Sequence, residues 1–358
     1  MKIIQMLPTM SYGDAVGNDV LALHNVLVKN GYETGIYAEN IDPRLPEELV
    51  KKISEMPKLS KKDVVIWHMA IGTDLNYKIA KLSARKMMIY HNITPAHFFE
   101  PYSSTSCRLC LEGEEQLRYL ANKVDYCLAD SGYNKQDLIE RGGCTGKIDV
   151  LPILIPFSDY EKKPDAKVIR KYRNDGYTNI LFTGRIAPNK KQEDVIRAFY
   201  MYQKYYNPKS RLFLVGSSGG MEAYSNKLKG YVKELELKNV IFTGHIKFDE
   251  ILAYYTLADV FLCMSEHEGF CVPLVEAMCF DVPIIAYDCT AIGDTLGGAG
   301  IMLSGKDPLE AAGMVDYLMQ HPEVKEKVVQ GQRERLKYFE HDRIEEQFLN
   351  YLRDFLGE

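Results

Sequence analysis

The stretch Lys2–Glu39, "KIIQMLPTMSYGDAVGNDVLALHNVLVKNGYETGIYAE", decides the fold class. "KIIQMLP" has the short apolar character of a buried strand, and "TMSYGDAVGND" is a polar, glycine-bearing loop. "VLALHNVLVKNG" repeats apolar residues at helical spacing and stops at Gly31, after which a second strand candidate begins. Strand, loop, helix and strand in that order build a parallel sheet covered by helices on both faces.

The same alternation continues through "DVVIWHM", "KMMIYHN" and "VDYCLADS", with helical stretches expected around residues 74–86 and 113–122. Near Val150 the text changes to "VLPILIPFSDYEKKPDAK", whose three prolines and charged tail read as a linker. Beyond it the alternation restarts with "TNILFTGR", a helix from about Gln192 to Tyr206, then "RLFLVGSS", "VIFTGHI", "ADVFLCMS" and "PIIAYDC". A chain of 358 residues exceeds the roughly 250–300 residues at which single cores stop growing. Two doubly wound α/β domains are therefore expected, over residues 1–157 and 158–338. Residues 339–358 hold "RIEEQFLNYLRDFLGE", an amphipathic helix whose Ile344, Phe348, Tyr351, Leu352 and Phe355 must cover apolar surface.

Composition narrows the function classes. Hydrophobic residues at 46%, charged residues at 26% and a net charge of −5 describe an ordinary globular protein and argue against a dedicated nucleic-acid binder. No apolar run reaches the ~18 residues of a membrane span, and "MKIIQMLP" is too short for a secretory signal, so a cytoplasmic location is expected. Most of the eight cysteines sit singly in apolar runs, where a thiol behaves as a small hydrophobe. Cys107 and Cys110 form a C-x-x-C pair without a second ligand pair nearby, so a loop role outweighs a zinc site.

In open α/β sheets ligands lie beyond the carboxyl ends of strands. After "NILFT" comes "GRIAPNKK": Gly184 turns the chain, and Arg185 and Lys190 project from one loop toward a following helix, which suits a phosphate or diphosphate. Solvated basic loops are common, so corroboration is needed. It comes from "SEHEGFCVPLVEAM", Ser265–Met278, at the same edge of the same sheet. There Gly269 permits close backbone approach, and the amides of Phe270, Cys271 and Val272 stand just ahead of a helix that Pro273 suits. Glu268 and Glu276, separated by seven residues, are acids in a site built for anions. Their useful partners carry hydroxyls to donate: a sugar for Glu268 and a ribose diol for Glu276. Together these groups describe a nucleotide-sugar site.

"GRIAPNKKQEDVIRAF", "VIFTGHI" and "SEHEGFCVPLVEAM" in combination resemble the retaining glycosyltransferases of family four. That resemblance implies the GT-B fold, with two Rossmann-like domains facing each other across a cleft and a C-terminal helix packing back toward the first domain. It implies an N-terminal acceptor-binding domain and a C-terminal nucleotide-sugar-binding domain. It assigns Arg185 and Lys190 to the diphosphate, Glu268 to the transferred sugar and Glu276 to the ribose, with backbone near His245 and Ile246 meeting the base. His91, directly after a strand in "MMIYHNITPAHFFEPYSS", matches the family histidine that faces the donor sugar; a hydrogen-bonded structural histidine is the bland alternative. The family's glycine pair after the first strand is replaced by Gly13 and Gly17 with Asp14 between them. Asp14 has two open readings, an acceptor hydroxyl or a helix cap. Phe98, Phe99 and Tyr102 form either an apolar lip or part of the core. His97 reads as structural, and Asp294, where the family often has glutamate, receives no role.

The implied activity is a metal-independent, retaining transfer of a hexose from a nucleotide-diphosphate donor, GDP-mannose first and a UDP-sugar second. The acceptor is a glycan or lipid-linked glycan of polysaccharide biosynthesis, with no cofactor and no metal. Lysines in "VKKISEMPKLSKK" and "KIAKLSARK" raise peripheral membrane association, against which stand Glu47, Glu48 and Glu55. The alternatives are a non-catalytic nucleotide-sugar-binding module and a transferase acting on a small soluble acceptor. A G-x-G-x-x-G after a strand, a G-x-x-x-x-G-K-[ST] loop and a D-x-D pair are all missing, which disfavours nicotinamide, P-loop and D-x-D metal chemistry.

Overall fold

A computed structural model describes residues 1–11 and 13–358. The chain divides into two compact units. Unit 1 comprises Met1–His97, Thr105–Pro156 and Phe339–Glu358; unit 2 comprises Phe98–Ser104 and Phe157–Tyr338.

Unit 1 begins β1 (Lys2–Met10), α1 (Ala15–Lys29), β2 (Glu33–Ile41), β3 (Lys51–Lys52) and β4 (Val64–Met69). It continues with α2 (Leu75–Ala80), β5 (Arg85–Tyr90), α3 (Ser104–Leu120), β6 (Tyr126–Ala129), α4 (Gly132–Glu140) and β7 (Ile148–Val150). Its strands pair in the order β3-β2-β1-β4-β5-β6-β7. Every pairing is parallel. Helix α1 starts where it does because Asp14 caps it, its carboxylate accepting the Gly17 amide at 2.6 Å.

Unit 2 holds α5 (Ala166–Tyr172), β8 (Thr178–Thr183), α6 (Gln192–Tyr205), β9 (Ser210–Val215), α7 (Glu222–Glu234), β10 (Val240–Gly244) and α8 (Phe248–Leu257). Then come β11 (Val260–Cys263), α9 (Val272–Cys279), β12 (Ile284–Tyr287), α10 (Ile292–Leu296), β13 (Ile301–Leu303), α11 (Pro308–Gln320) and α12 (Pro322–Leu336). The sheet order β10-β9-β8-β11-β12-β13 repeats the pattern of unit 1. In each sheet the chain winds outward one way from its first strand, then returns to that strand's other side. This creates a switch point beside β1 and β4 in unit 1 and beside β8 and β11 in unit 2.

The last helix, α13 (His341–Leu356), belongs to unit 1. Its Ile344, Phe348, Leu349 and Leu352 pack into one cluster with Ile3, Leu23, Leu27 and Ile89. Burying each such side chain contributes about 1.5–3 kcal/mol, and Glu345 fixes the approach by pairing with Lys29 at 2.8 Å.

Three local expectations are corrected. The helix expected over 74–86 is only Leu75–Ala80, because Arg85 and Lys86 already pair with β4. The helix expected over 113–122 starts at Ser104, so Cys107 and Cys110 lie on a helix and not in a loop. Gly17 lies inside α1; a Cβ there would stand 2.7 Å from Asp14 Oδ1 and 2.9 Å from the Ser11 carbonyl, so the cap requires a glycine.

Candidate functional site

In unit 2 the loops after β8 and β11 flank the switch point and are zipped together. The Asn189 side chain donates to the His267 carbonyl at 3.0 Å, and the Glu266 amide donates to the Asn189 carbonyl at 2.8 Å. Gly184 (φ 138°) and Gly216 (φ 152°) let the ends of β8 and β9 touch: a Cβ on Gly216 would lie 2.0 Å from the Gly184 carbonyl oxygen. Arg185 is exposed on this rim, its guanidinium donating to the Gly219 carbonyl at 3.1 Å.

Lys190 and Glu268 meet directly, the ammonium donating to Glu268 Oε2. Glu268 is enclosed and the lysine only partly exposed. Burial alone would push the Lys190 pKa down, but the Glu268 carboxylate outweighs it and the net shift is upward. The loop carrying Glu268 is fixed elsewhere by Glu268 N donating to Thr290 Oγ1 at 2.9 Å and by Thr295 Oγ1 donating to the Phe270 carbonyl. Cys271 takes the left-handed conformation (φ 73°) immediately before α9, whose first turn contains Pro273. The amides of Phe270, Cys271 and Val272 thus stand at a helix start, next to an enclosed ion pair.

One turn into α9, Glu276 is held by two tyrosines. Tyr160 donates to Oε1 at 3.0 Å and Tyr255 to Oε2 at 2.7 Å, while the Tyr255 hydroxyl also bonds Thr183 at the end of β8. Burial raises the Glu276 pKa, opposed by those hydroxyls. A carboxylate offers about four acceptor positions, so capacity for a diol remains. His245 is exposed and Ile246 half-buried in the turn after β10, at the same sheet edge.

Around this site lie groups that the sequence reading missed. Lys306, after β13, pairs with both Glu266 and Asp194 at 2.8 Å, and Lys191 joins Glu266 at 3.0 Å. The segment Phe98–Ser104 groups with unit 2, and its three aromatic residues differ in setting. Phe99 is core, whereas Phe98 lies 6.3 Å from the His267 ring and Tyr102 accepts from Lys227 Nζ at 2.7 Å.

In unit 1, His91 follows β5 and is buried in a chain of hydrogen bonds. Gln5 Nε2 donates to the Val20 carbonyl at 3.0 Å, so Gln5 Oε1 faces His68 Nε2 at 2.9 Å and that nitrogen carries the hydrogen. Burial drives the His68 pKa well down, leaving a neutral ring whose Nδ1 accepts. His91 Nε2, 2.9 Å away, must then donate, and His91 Nδ1 meets Asp130 Oδ2 at 2.8 Å. Burial alone would lower the His91 pKa, but Asp130, with Asp19 and Asp14, reverses it and raises it. Both ring nitrogens are therefore engaged within unit 1. Among the described residues Asp130 Oδ1 is buried without a partner, and burial raises the Asp19 pKa to about 7. Gly13 (φ 76°) turns the chain into Asp14, whose observed role is the α1 cap. His68 had a signal in the sequence, as the lone ionisable residue of an otherwise apolar strand, and Asp130 directly follows β6, where the strand-end rule points.

Residues 165–335 match the model of the family described as glycosyl transferases group 1. The matched stretch lies within the second unit, which is similar to that family over most of its length. Among curated relatives, the D-inositol 3-phosphate glycosyltransferase of Acidothermus cellulolyticus is 28% identical over 188 residues, covering 50% of this chain and 41% of that protein. The O-antigen chain mannosyltransferase B of Escherichia coli is 22% identical over 203 residues, covering 54% of this chain and 51% of that protein. The matches thus span about half the length of these relatives. Among solved structures, the sucrose-phosphate synthase of Thermosynechococcus elongatus superposes with a TM-score of 0.77 at 16% identity over 100% of both chains. Anabaena HepE in complex with UDP and glucose gives 0.75 at 18% identity over 99% of this chain and 100% of that one. The fold is that of the GT-B glycosyltransferases, as the sequence resemblance implied.

Proposed function

We propose that the protein is a metal-independent, retaining hexosyltransferase that takes its sugar from a nucleotide-diphosphate donor bound by unit 2. The observation that carries this reading is the enclosed Lys190–Glu268 pair beside the start of α9 at the switch point. Lys190 has donors left for a diphosphate while one holds Glu268, and Arg185 and the amides of Phe270, Cys271 and Val272 complete the anion cradle. Glu268 takes hydroxyls of the transferred sugar, Glu276 the ribose diol, and backbone at His245 and Ile246 the base.

Fixed cations replace a metal by stabilising charge on the leaving diphosphate. With no carboxylate assigned as nucleophile, the sugar is attacked on the face the diphosphate leaves, and a leaving phosphate oxygen takes the acceptor's proton. Configuration is thereby retained. With both ring nitrogens held inside unit 1, His91 orients the transferred sugar and stabilises its developing positive charge through a dipole, and is not a general base.

GDP-mannose is the first choice of donor and a UDP-sugar the second. Mannosyltransferase relatives support the former and the UDP-bound HepE fold the latter. A glycan or lipid-linked glycan is the proposed acceptor. No helix among the described residues is long and apolar enough to cross a membrane; flotation with anionic liposomes tests peripheral association. The deciding experiment incubates the protein, with EDTA present, against GDP- and UDP-sugars and acceptors, and follows nucleotide release and the anomeric configuration of the product by NMR. Release with a retained anomer supports the reading. An inverted anomer, or activity that EDTA abolishes and magnesium restores, overturns it, and tight donor binding without turnover points to a non-catalytic module.

A further inference from the structure

Among the described residues, two side-chain clusters each place three metal-ligating atoms within 4.8 Å of one another: Asp19, His68 and His91 in unit 1, and Cys263, Glu268 and Cys271 in unit 2. The first already holds a proton where a metal would go. The His68 and His91 rings are within 8° of parallel with centres 5.2 Å apart. That separation is the 2.9 Å N···N contact plus one ring radius at each end, so the facing nitrogens are head-on. Head-on nitrogens suit a shared hydrogen, whereas chelation needs two lone pairs that converge from an angle on one point.

The second cluster has the opposite character. The Cys263 and Cys271 thiols and a Glu268 carboxylate oxygen lie within 4.8 Å of one another, Cys263 Sγ reaches Ser265 Oγ at 3.4 Å, and all three ligand residues are buried. We infer that Cys263, Cys271 and Glu268 form a binding site for a thiophilic divalent cation such as zinc, and that filling it blocks the donor site. The blocking half of this inference rests on the proposed donor role of Glu268; the binding half does not.

Geometry and charge both favour the site. Zn–S bonds of about 2.3 Å and Zn–O bonds of about 2.0–2.2 Å at tetrahedral angles put ligand atoms about 3.4–3.8 Å apart. The ligand atoms, now within 4.8 Å of one another, need to close by at most about 1–1.4 Å to reach that spacing. Glu268 Oε2 stays with Lys190 while Oε1 faces the metal, so the lysine keeps its counter-charge. On binding, two S–H bonds break, two Zn–S bonds form and two protons pass to solvent, with no change of oxidation state. One dication replaces two protons, and the net charge of the buried cluster is unchanged. Thiolates select zinc, cadmium or cobalt over magnesium, which prefers six oxygens, so magnesium has no effect here. A metal-bound Glu268 can no longer accept a sugar hydroxyl on that oxygen, so zinc lowers activity and a chelator restores it.

The test uses the full chain, reduced and stripped of metal, titrated with cobalt and then zinc. One equivalent of cobalt is expected to give a thiolate-to-cobalt charge-transfer band with tetrahedral d–d absorption, bleached by zinc and untouched by magnesium. Cys263→Ser should weaken cobalt and zinc at least about tenfold while leaving EDTA-treated transfer unchanged, and Cys271→Ser should lose the band as well, which covers the case in which the first variant does not fold. Absence of the band, or a band that survives both substitutions, overturns the inference. A cysteine-dependent band with no inhibition of transfer overturns the blocking half. A cysteine-dependent band in a protein that transfers no sugar upholds the metal site and counts against the proposed function instead.

Discussion

His91 Nε2 lies 2.9 Å from His68 Nδ1, with the two imidazoles within 8° of parallel. Because Gln5 fixes the hydrogen on the far side of His68, the hydrogen between the rings belongs to His91, and Asp130 takes the other side of that ring. His91 is therefore presented in one orientation with one hydrogen pattern. His91→Ala is expected to lower turnover at least about tenfold with the donor KM nearly unchanged, since a group used in the transition state appears in the rate. His68→Phe keeps the ring volume but leaves the His91 N–H unpaired, which costs about 1–3 kcal/mol when buried. It should lower both thermal stability and turnover, read by calorimetry and steady-state kinetics. Full activity of both variants would remove this pair from the reaction.

Asp19 gives unit 1 a pH signature. Burial raises its pKa from 3.8 to about 7, so the folded chain holds a proton that the unfolded chain has released between those values. Stability from this group is complete below pH 3.8 and is lost as pH rises toward 7. The ceiling on the effect is about 4 kcal/mol. Asp19→Asn keeps an oxygen to accept the Leu154 amide, as Asp19 Oδ1 does at 2.8 Å, and removes the titration. Its Tm should fall less than that of the parent between about pH 5 and 8. Parallel Tm profiles would show that Asp19 ionises normally.

The Lys190–Glu268 pair predicts a separation of binding from stability. Lys190→Ala loses a charge-assisted contact of about 1.5–3 kcal/mol and should weaken nucleoside diphosphate binding by about one to two orders of magnitude. It also strands an enclosed carboxylate, lowering Tm by about 2–4 °C for each kcal/mol lost. Adding Glu268→Gln should restore most of the Tm but none of the diphosphate affinity. Titration calorimetry and thermal melts read the two effects separately, and unchanged affinity in Lys190→Ala would take this lysine out of the site.

What the sequence made legible was set by periodicity and by strand ends. The run "VVIWHM" read as a buried-strand candidate and is a strand buried along its whole length, and the loops after β8 and β11 announced their cations and acids in nearby residues. Partners distant in sequence were not legible. Tyr160 reaches Glu276 across 116 residues, Lys306 reaches Glu266 across 40, and Gln5 reaches His68 across 63, and only the folded sheet brings them together. The short α2 was misjudged because its polar end looks helical in isolation, whereas pairing of Arg85 and Lys86 with β4 claims those residues for the sheet.

Glu276 supplies the last prediction, because its two tyrosine bonds separate orientation from charge. Tyr160 and Tyr255 each donate to a different carboxylate oxygen, so the plane of the group is fixed before any ligand arrives. A ribose diol would find two oxygens already aimed, at little ordering cost. Glu276→Gln replaces one acceptor oxygen by a donor and should weaken a nucleoside diphosphate by about tenfold, the effect of one or two lost hydrogen bonds. Inorganic pyrophosphate, which has no ribose, should bind the variant and the parent equally. A 2′,3′-dideoxynucleoside diphosphate should bind the parent as weakly as the ordinary nucleotide binds the variant, and the substitution should then cost nothing further. That double cycle assigns the diol to Glu276 even if the new amide disturbs the tyrosines, because a purely structural loss would weaken all three ligands alike. Equal weakening of pyrophosphate would remove Glu276 from ribose recognition and leave it as a brace between α8 and α9.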